Sequence, residues 1–174
     1  MLNKDRYLTK SRFKEGLECP TKLYYSKNPK YQNNQLDDPF LESLAEGGYQ
    51  VGELAKFLIS DQPYIDDITV ESLDYQESIQ STNEKLKNKF ASIAEPAFLY
   101  KNLFIRVDLL QKKDDEINIY EVKSKSWGYE GVDDQEFKVF IKEYKRGENK
   151  GKRVIDPNWK FYLYDIAFQR YVVR

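Results

Sequence analysis

The sequence predicts an α/β fold in which a central mixed β-sheet, a three-stranded meander plus an edge strand, is flanked by helices. Three observations carry this expectation. Residues 93–123 hold three β-rich runs separated by short polar connections. Helical signals dominate the first 90 residues, and an amphipathic run closes the chain. With 174 residues, 40% hydrophobic and 15% aromatic, the chain can fill one core, so 1–174 is expected to form a single domain.

The elements follow in order. Thr9 is a candidate N-cap for a helix carrying Phe13, Gly16 and Leu17, interrupted at Cys19-Pro20 and resuming through Leu23, Tyr24 and Tyr25. Residues 28–36 are polar and read as loop. Asp38-Pro39 then joins an N-cap to a proline at the first helical position, and Phe40, Leu44, Val51, Ala55 and Leu58 recur at helical spacing. Gly47 and Gly48 inside that helix lower its stability unless something approaches closely. Ile68-Thr69-Val70 is the edge-strand candidate. Residues 74–90 read as a helix with Ile79, Leu86 and Phe90 inward and Lys85, Lys87 and Lys89 outward. The meander is expected at 93–100, 103–110 and 117–123, with 112–116 as a solvated hairpin connection. A charged region follows, with a helix expected over 134–145, Gly147 to Gly151 as a mobile loop, and Val154-Ile155 too short to assign. The last helix, 159–173, sets Tyr162, Ile166 and Gln169 on one side and returns over the sheet.

Composition removes whole classes of chemistry. There is no histidine, which excludes Ser-His-Asp and Cys-His catalysis, histidine zinc sites and histidine bases. One cysteine, Cys19, excludes an internal disulfide and an all-cysteine zinc site within one chain. A net charge of −1 argues against a broadly basic surface, so any nucleic-acid contact must come from a local patch. No run of 18 apolar residues occurs and the start lacks a signal peptide's apolar region, so a cytoplasmic chain without membrane contact is expected. Carboxylate and lysine chemistry with a hard cation is what remains.

Two stretches carry that chemistry: Phe104-Ile-Arg-Val-Asp108 and Ile117-Asn-Ile-Tyr-Glu121-Val-Lys123. Each apolar run ends in an acid, and Glu121 and Lys123, two apart, share a strand face. Asp108 and Glu121 would offer hard oxygens to Mg²⁺, and Lys123 could steady a developing negative charge, as phosphodiester hydrolysis requires. Glu-x-Lys also recurs at Glu136/Lys138, Glu143/Lys145 and Glu148/Lys150, so the apolar context is what distinguishes Glu121. A salt-bridged sheet is the bland alternative. Two nearby carboxylates without a metal should repel and raise one pKa unless Lys123 neutralises them.

The order of elements and motifs resembles the PD-(D/E)XK nuclease superfamily, more narrowly its RecB-like, Cas4-type branch, and within it the N-terminal nuclease-like domain of DUF2779 proteins. Four pieces carry the likeness across nearly the whole chain: the opening through Cys19-Pro20, residues 46–55, Arg106-Val-Asp108 with Glu121-Val-Lys123, and Asp165-Ile-Ala-Phe-Gln169-Arg-Tyr171. The resemblance implies a restriction-endonuclease-like core and a Mg²⁺- or Mn²⁺-dependent nuclease acting on single-stranded DNA or duplex ends. It implies Asp108, Glu121 and the Val122 carbonyl as metal ligands, with Glu46 or Glu95 as candidates for one more and Glu53 as a substitute near Gly52. Lys123 and Gln169 take catalytic roles, and Arg106, Lys125 and Tyr171 substrate contacts. The chain departs from the pattern in lacking the first-motif histidine. It also keeps only the early cysteine, so no iron–sulfur cluster is expected in this chain alone. Family members continue past the last helix, which leaves room for a C-terminal domain or a protein partner. The rival expectation is a catalytically inactive nuclease-fold domain that binds nucleic acid or protein.

Overall fold

A computed structural model describes residues 7–26, 28, 30–31, 39–59, 66–67, 75–125 and 140–173. Its elements run β1 (Leu8–Thr9), α1 (Lys10–Glu18), α2 (Pro20–Tyr25), α3 (Pro39–Ile59), β2 (Asp66–Asp67), α4 (Tyr75–Lys85), β3 (Phe90–Ala94), β4 (Ala97–Tyr100), β5 (Leu103–Arg106), β6 (Leu109–Lys113), β7 (Glu116–Tyr120), β8 (Ile141–Glu143), β9 (Arg153–Ile155) and α5 (Pro157–Val172). The fold is mixed α/β, with small mixed and antiparallel sheets flanked by helices.

The expected meander is present but bent. Two of its strands are each broken at the same level, giving sheets ordered β1-β5-β4 and β2-β3-β6-β7 where one sheet is expected. Register survives the break. Ala94 pairs with Leu109 and Ala97 with Arg106, and between them Glu95 N–H donates to the Asp108 carbonyl and Val107 N–H to that of Pro96, both at 3.0 Å. The cause is local: Glu95 adopts φ 54, and Pro96 has no N–H for a ladder. The bend therefore falls at Asp108. Two-residue turns close the hairpins, with Lys101 (φ 56) and Asp114 (φ 53) in the left-handed region.

Helix α1 begins where expected, with the Thr9 side chain accepting from Arg12 N–H, and Pro20 restarts the chain as α2. The close packing here is at Gly16, where a Cβ would lie 3.1 Å from Leu23 Cδ2. Strand β1, unforeseen in the sequence, pairs parallel with β5 and thereby anchors the start of α1 beside the Asp108 strand. Strand β2 pairs parallel with β3 as an edge just before the expected one at 68–70, which lies outside the described residues.

Several expectations fail. On α3, which buries none of its described side chains, the stripe residues Phe40, Leu44 and Leu58 are exposed. Among the described residues Gly47 has nothing within 4 Å and Gly48 makes only an ordinary contact with Ser124, so neither marks a close approach there. Phe90 is 62% exposed because α4 ends at Lys85 and the chain has already turned into β3, with Lys112 Nζ bonding the Leu86 carbonyl. Of the expected 134–145 helix, 134–139 lies outside the described residues. Ile141–Glu143 is instead a strand paired with β9 across a turn with Gly147 and Gly151 at positive φ.

The core has two parts. Ile105 and Val107 meet Phe168 and Val172 of α5, while Ile93 and Leu110 meet Leu86; Phe98 and Ile119 touch both. The ring of Phe13 stacks on Phe168 at 4.4 Å and locks α1 to α5. Thr82, wholly buried, donates to the Ser78 carbonyl at 2.8 Å and accepts from Ala97 N–H at 2.9 Å, joining α4 to β4. Thr82→Val keeps the shape but strands that N–H, and is expected to cost about 2 kcal/mol in urea unfolding. Thr82→Ser should recover most of the loss; equal losses would place the effect in packing instead.

Candidate functional site

The bend, the end of β7 and the α1/α5 pair bring charged groups to one pocket. Asp108 leaves the hairpin at the break, and Glu121 follows β7, whose Tyr120 pairs with Leu109. Both acids therefore stand at the same end of the sheet, and both meet Lys10 of α1. The Lys10 ammonium lies 3.2 Å from Asp108 Oδ1 and 3.0 Å from Glu121 Oε2. This convergence is the geometry expected of a shared site.

The other contacts fix each carboxylate. Asp108 Oδ2 accepts the Val122 backbone N–H at 2.8 Å and lies 4.0 Å from Lys123 Nζ. Glu121 Oε1 pairs with the Lys123 ammonium, and Oε2 accepts from Gln169 Nε2 at 2.7 Å. Gln169, completely buried, also donates to Asp165 Oδ1 one helical turn back at 3.1 Å. Asp165 is likewise fully buried; among the described residues its Oδ2 has no hydrogen bond, and it sits 3.7 Å from Lys14 Nζ. Asp108, Glu121 and Asp165 thus face Lys10, Lys14 and Lys123, and the cluster is balanced in charge.

Electrostatics follow from that arrangement. Burial opposes the Glu121 charge, but the Lys10 charge, hydrogen bonds from Lys123 and Gln169 and the Lys123 charge prevail and bring its pKa from 4.5 down to about 2. Burial would favour a neutral Lys10 amine; Asp108, Glu121 and Asp165 together hold it above the usual 10.5. Asp165 moves the other way. Burial and then the Glu121 charge push it above 3.8, against Lys10 and Lys14. Within the expected Asp108/Glu121 pair, Glu121 is lowered and not raised, because Lys10 and Lys123 outweigh its burial.

The remaining candidates are less central. Arg106 donates to Ser78 Oγ of α4 at 2.7 Å, on a strand stretch where the neighbouring Phe104 ring lies against Tyr75. Lys125 bonds the Asn158 carbonyl at 3.2 Å and lies over the rings of Trp159 and Tyr162, at the first turns of α5. Tyr171 packs edge-to-face on Tyr100. Glu46 is exposed on α3, Glu53 pairs with Lys56 at 2.7 Å, and Glu95 is exposed at the bend. Cys19 is exposed, where a buried thiol at the kink is the ordinary expectation. Among the described residues no group of three or more His, Cys, Asp or Glu is placed to hold a metal ion.

Lys10 and Asp165 are the residues the sequence reading missed as site members. A signal existed for both. Lys10, Phe13, Lys14 and Leu17 share a helix face, as do Asp165, Phe168, Gln169 and Val172, and two such faces packing together must pair their charges. No helix of the described residues is long and apolar enough to cross a membrane. No protein-family model, curated protein or solved structure matches the chain.

Proposed function

We propose that this chain is a metal-dependent nuclease domain with a restriction-endonuclease-like core, of the PD-(D/E)XK type and RecB-like in its motifs, that hydrolyses DNA phosphodiester bonds. One observation carries the reading: Asp108, in the break between β5 and β6, and Glu121, just past β7, converge on a single cation, with Lys123 and Gln169 on the same glutamate.

The donor chemistry fits Mg²⁺ or Mn²⁺. Such ions keep several waters and are held by one or two carboxylates together with substrate phosphate, so two acids and the Val122 carbonyl make a sufficient protein share. A closed protein cage would need more ligands than the described residues offer. When bound, the ion would polarise the scissile phosphate and lower the pKa of an attacking water. The chain's own groups do the rest. Val122 N–H holds Asp108 in one orientation, Gln169 holds Glu121, and Lys123 stands ready to steady the charge that grows on the phosphate. Lys125 lies near the start of α5, where a flanking phosphate of single-stranded DNA or a duplex end would find a cation.

The second reading, an inactive nuclease-fold domain that binds nucleic acid or a protein partner, draws on the charge balance, since each of the three acids already has a lysine. Labelled single- and double-stranded DNA incubated with the protein separates the two readings. The nuclease reading expects shortened products in Mn²⁺ and none in EDTA. Intact DNA under both conditions, with a retarded complex, would establish the inactive domain instead.

A further inference from the structure

The oxygens that face each other across the pocket, Asp108 Oδ1 and Glu121 Oε2, meet on one atom, Lys10 Nζ. The other two oxygens are occupied differently, Asp108 Oδ2 by Val122 N–H and Glu121 Oε1 mainly by Lys123. A second contact from Lys10 to Glu121 Oε1, at 3.3 Å, leaves the ammonium enclosed by acid on several sides. An ion touching both carboxylates must lie between them, where this ammonium lies. The two cations cannot share that position, because they compete for the same lone pairs and repel each other.

We infer that Lys10 is the resident cation of the Asp108–Glu121 pocket, holding the acids together in the metal-free chain and setting divalent-ion affinity by having to leave before the ion enters. This rests on the reading above that the acid pair takes Mg²⁺ or Mn²⁺. The placement suits such a role. Lys10 opens α1 directly after the Thr9 cap, and β1 ties that point to β5, so its backbone is fixed while its four-carbon stem can swing. Asp165 offers the departing ammonium a second station: among the described residues its buried Oδ2 has no hydrogen bond, the Lys14 ammonium stays 3.7 Å away, and Lys10 already feels the Asp165 charge. Lys123 is a poorer competitor, lying 4.0 Å from Asp108 and following Glu121 on the same strand end. By linkage, whatever Lys10 adds to the stability of the metal-free state is subtracted from metal affinity.

The test is calorimetric titration of Mn²⁺ into the parent and into Lys10→Met, which keeps the apolar stem and removes the charge, with thermal unfolding of both in EDTA and in saturating Mn²⁺. The expected result is at least about tenfold tighter Mn²⁺ binding by the variant, a lower melting temperature in EDTA, and recovery of that loss in Mn²⁺. Should Lys10→Met not fold without metal, Lys10→Gln, uncharged but polar, serves for the same comparison. Mn²⁺ affinity unchanged or weakened in the variant would overturn the role of Lys10 and leave the metal reading standing. Absence of Mn²⁺ binding in parent and variant alike would overturn both.

Discussion

Asp108→Asn should abolish Mn²⁺-dependent cleavage, with a loss of at least about a hundredfold, while the protein stays folded with a melting temperature close to the parent's. The substitution changes little volume. One side-chain oxygen remains to accept the Val122 N–H now bound at 2.8 Å, and Lys10 keeps Glu121 as its partner. What disappears is a charged oxygen facing the pocket. The measurement pairs single-turnover cleavage of a labelled duplex with circular dichroism of the same preparation. Retained cleavage in a folded Asp108→Asn protein would mean that the ion and the chemistry lie elsewhere.

Acid should reveal the energetic weight of Glu121. Its pKa falls from 4.5 to about 2 on folding, so its contribution to stability is fully present above pH 4.5, declines below that and is gone below about pH 2. With the side chain almost wholly buried, that contribution is on the order of 3 kcal/mol. Asp165 acts in the opposite direction. Its raised pKa means that protonation relieves the folded state as pH falls toward 3.8, which concentrates the net decline at the acid end of the window. Lys10 has its own limb, its stabilisation complete below 10.5 and lost as pH rises through its elevated value. Urea unfolding at pH 7, 4.5, 3 and 2 should show the acid decline in the parent and a shallower one in Glu121→Gln, which starts less stable at pH 7. Parallel curves would mean that Glu121 is no more stabilised as an anion in the folded chain than in the unfolded one.

How much was legible in the sequence differs by level. Local signals were reliable where one short-range cause acts. Thr9 caps α1, Pro20 restarts the helix, and the hairpin turns fall in their polar connections; the Asp156 cap and Pro157 that start α5 two residues before the expected 159 were passed over. The bend at Glu95 and Val107-Asp108 was missed because residues 103–110 alternate without a break, although Pro96, with no N–H for a ladder, marks it on the facing strand. Helix α3 shows a related limit. Periodicity shows which side chains share a face but not that any partner covers it, and Phe40, Leu44 and Leu58 are exposed. At the site, Asp108, Glu121, Lys123 and Gln169 do come together. Lys10 was missed because its helix face shows that it needs partners but not which ones, and they lie 98 and 111 positions away. Asp165 carried the better warning: an acid on the buried face of a helix needs a partner.

The Asp108–Glu121 pair as a divalent-cation site is the claim on which cleavage, the Asn variant and the role of Lys10 all depend. A crystal soaked in Mn²⁺ and measured at the manganese absorption edge tests it most directly. The expected map has one anomalous peak about 2.1–2.2 Å from a carboxylate oxygen of each acid, with the Lys10 ammonium swung out of the position it holds 3.2 Å from Asp108 and 3.0 Å from Glu121. A map with no peak there, and Lys10 still seated between the two acids, would contradict it.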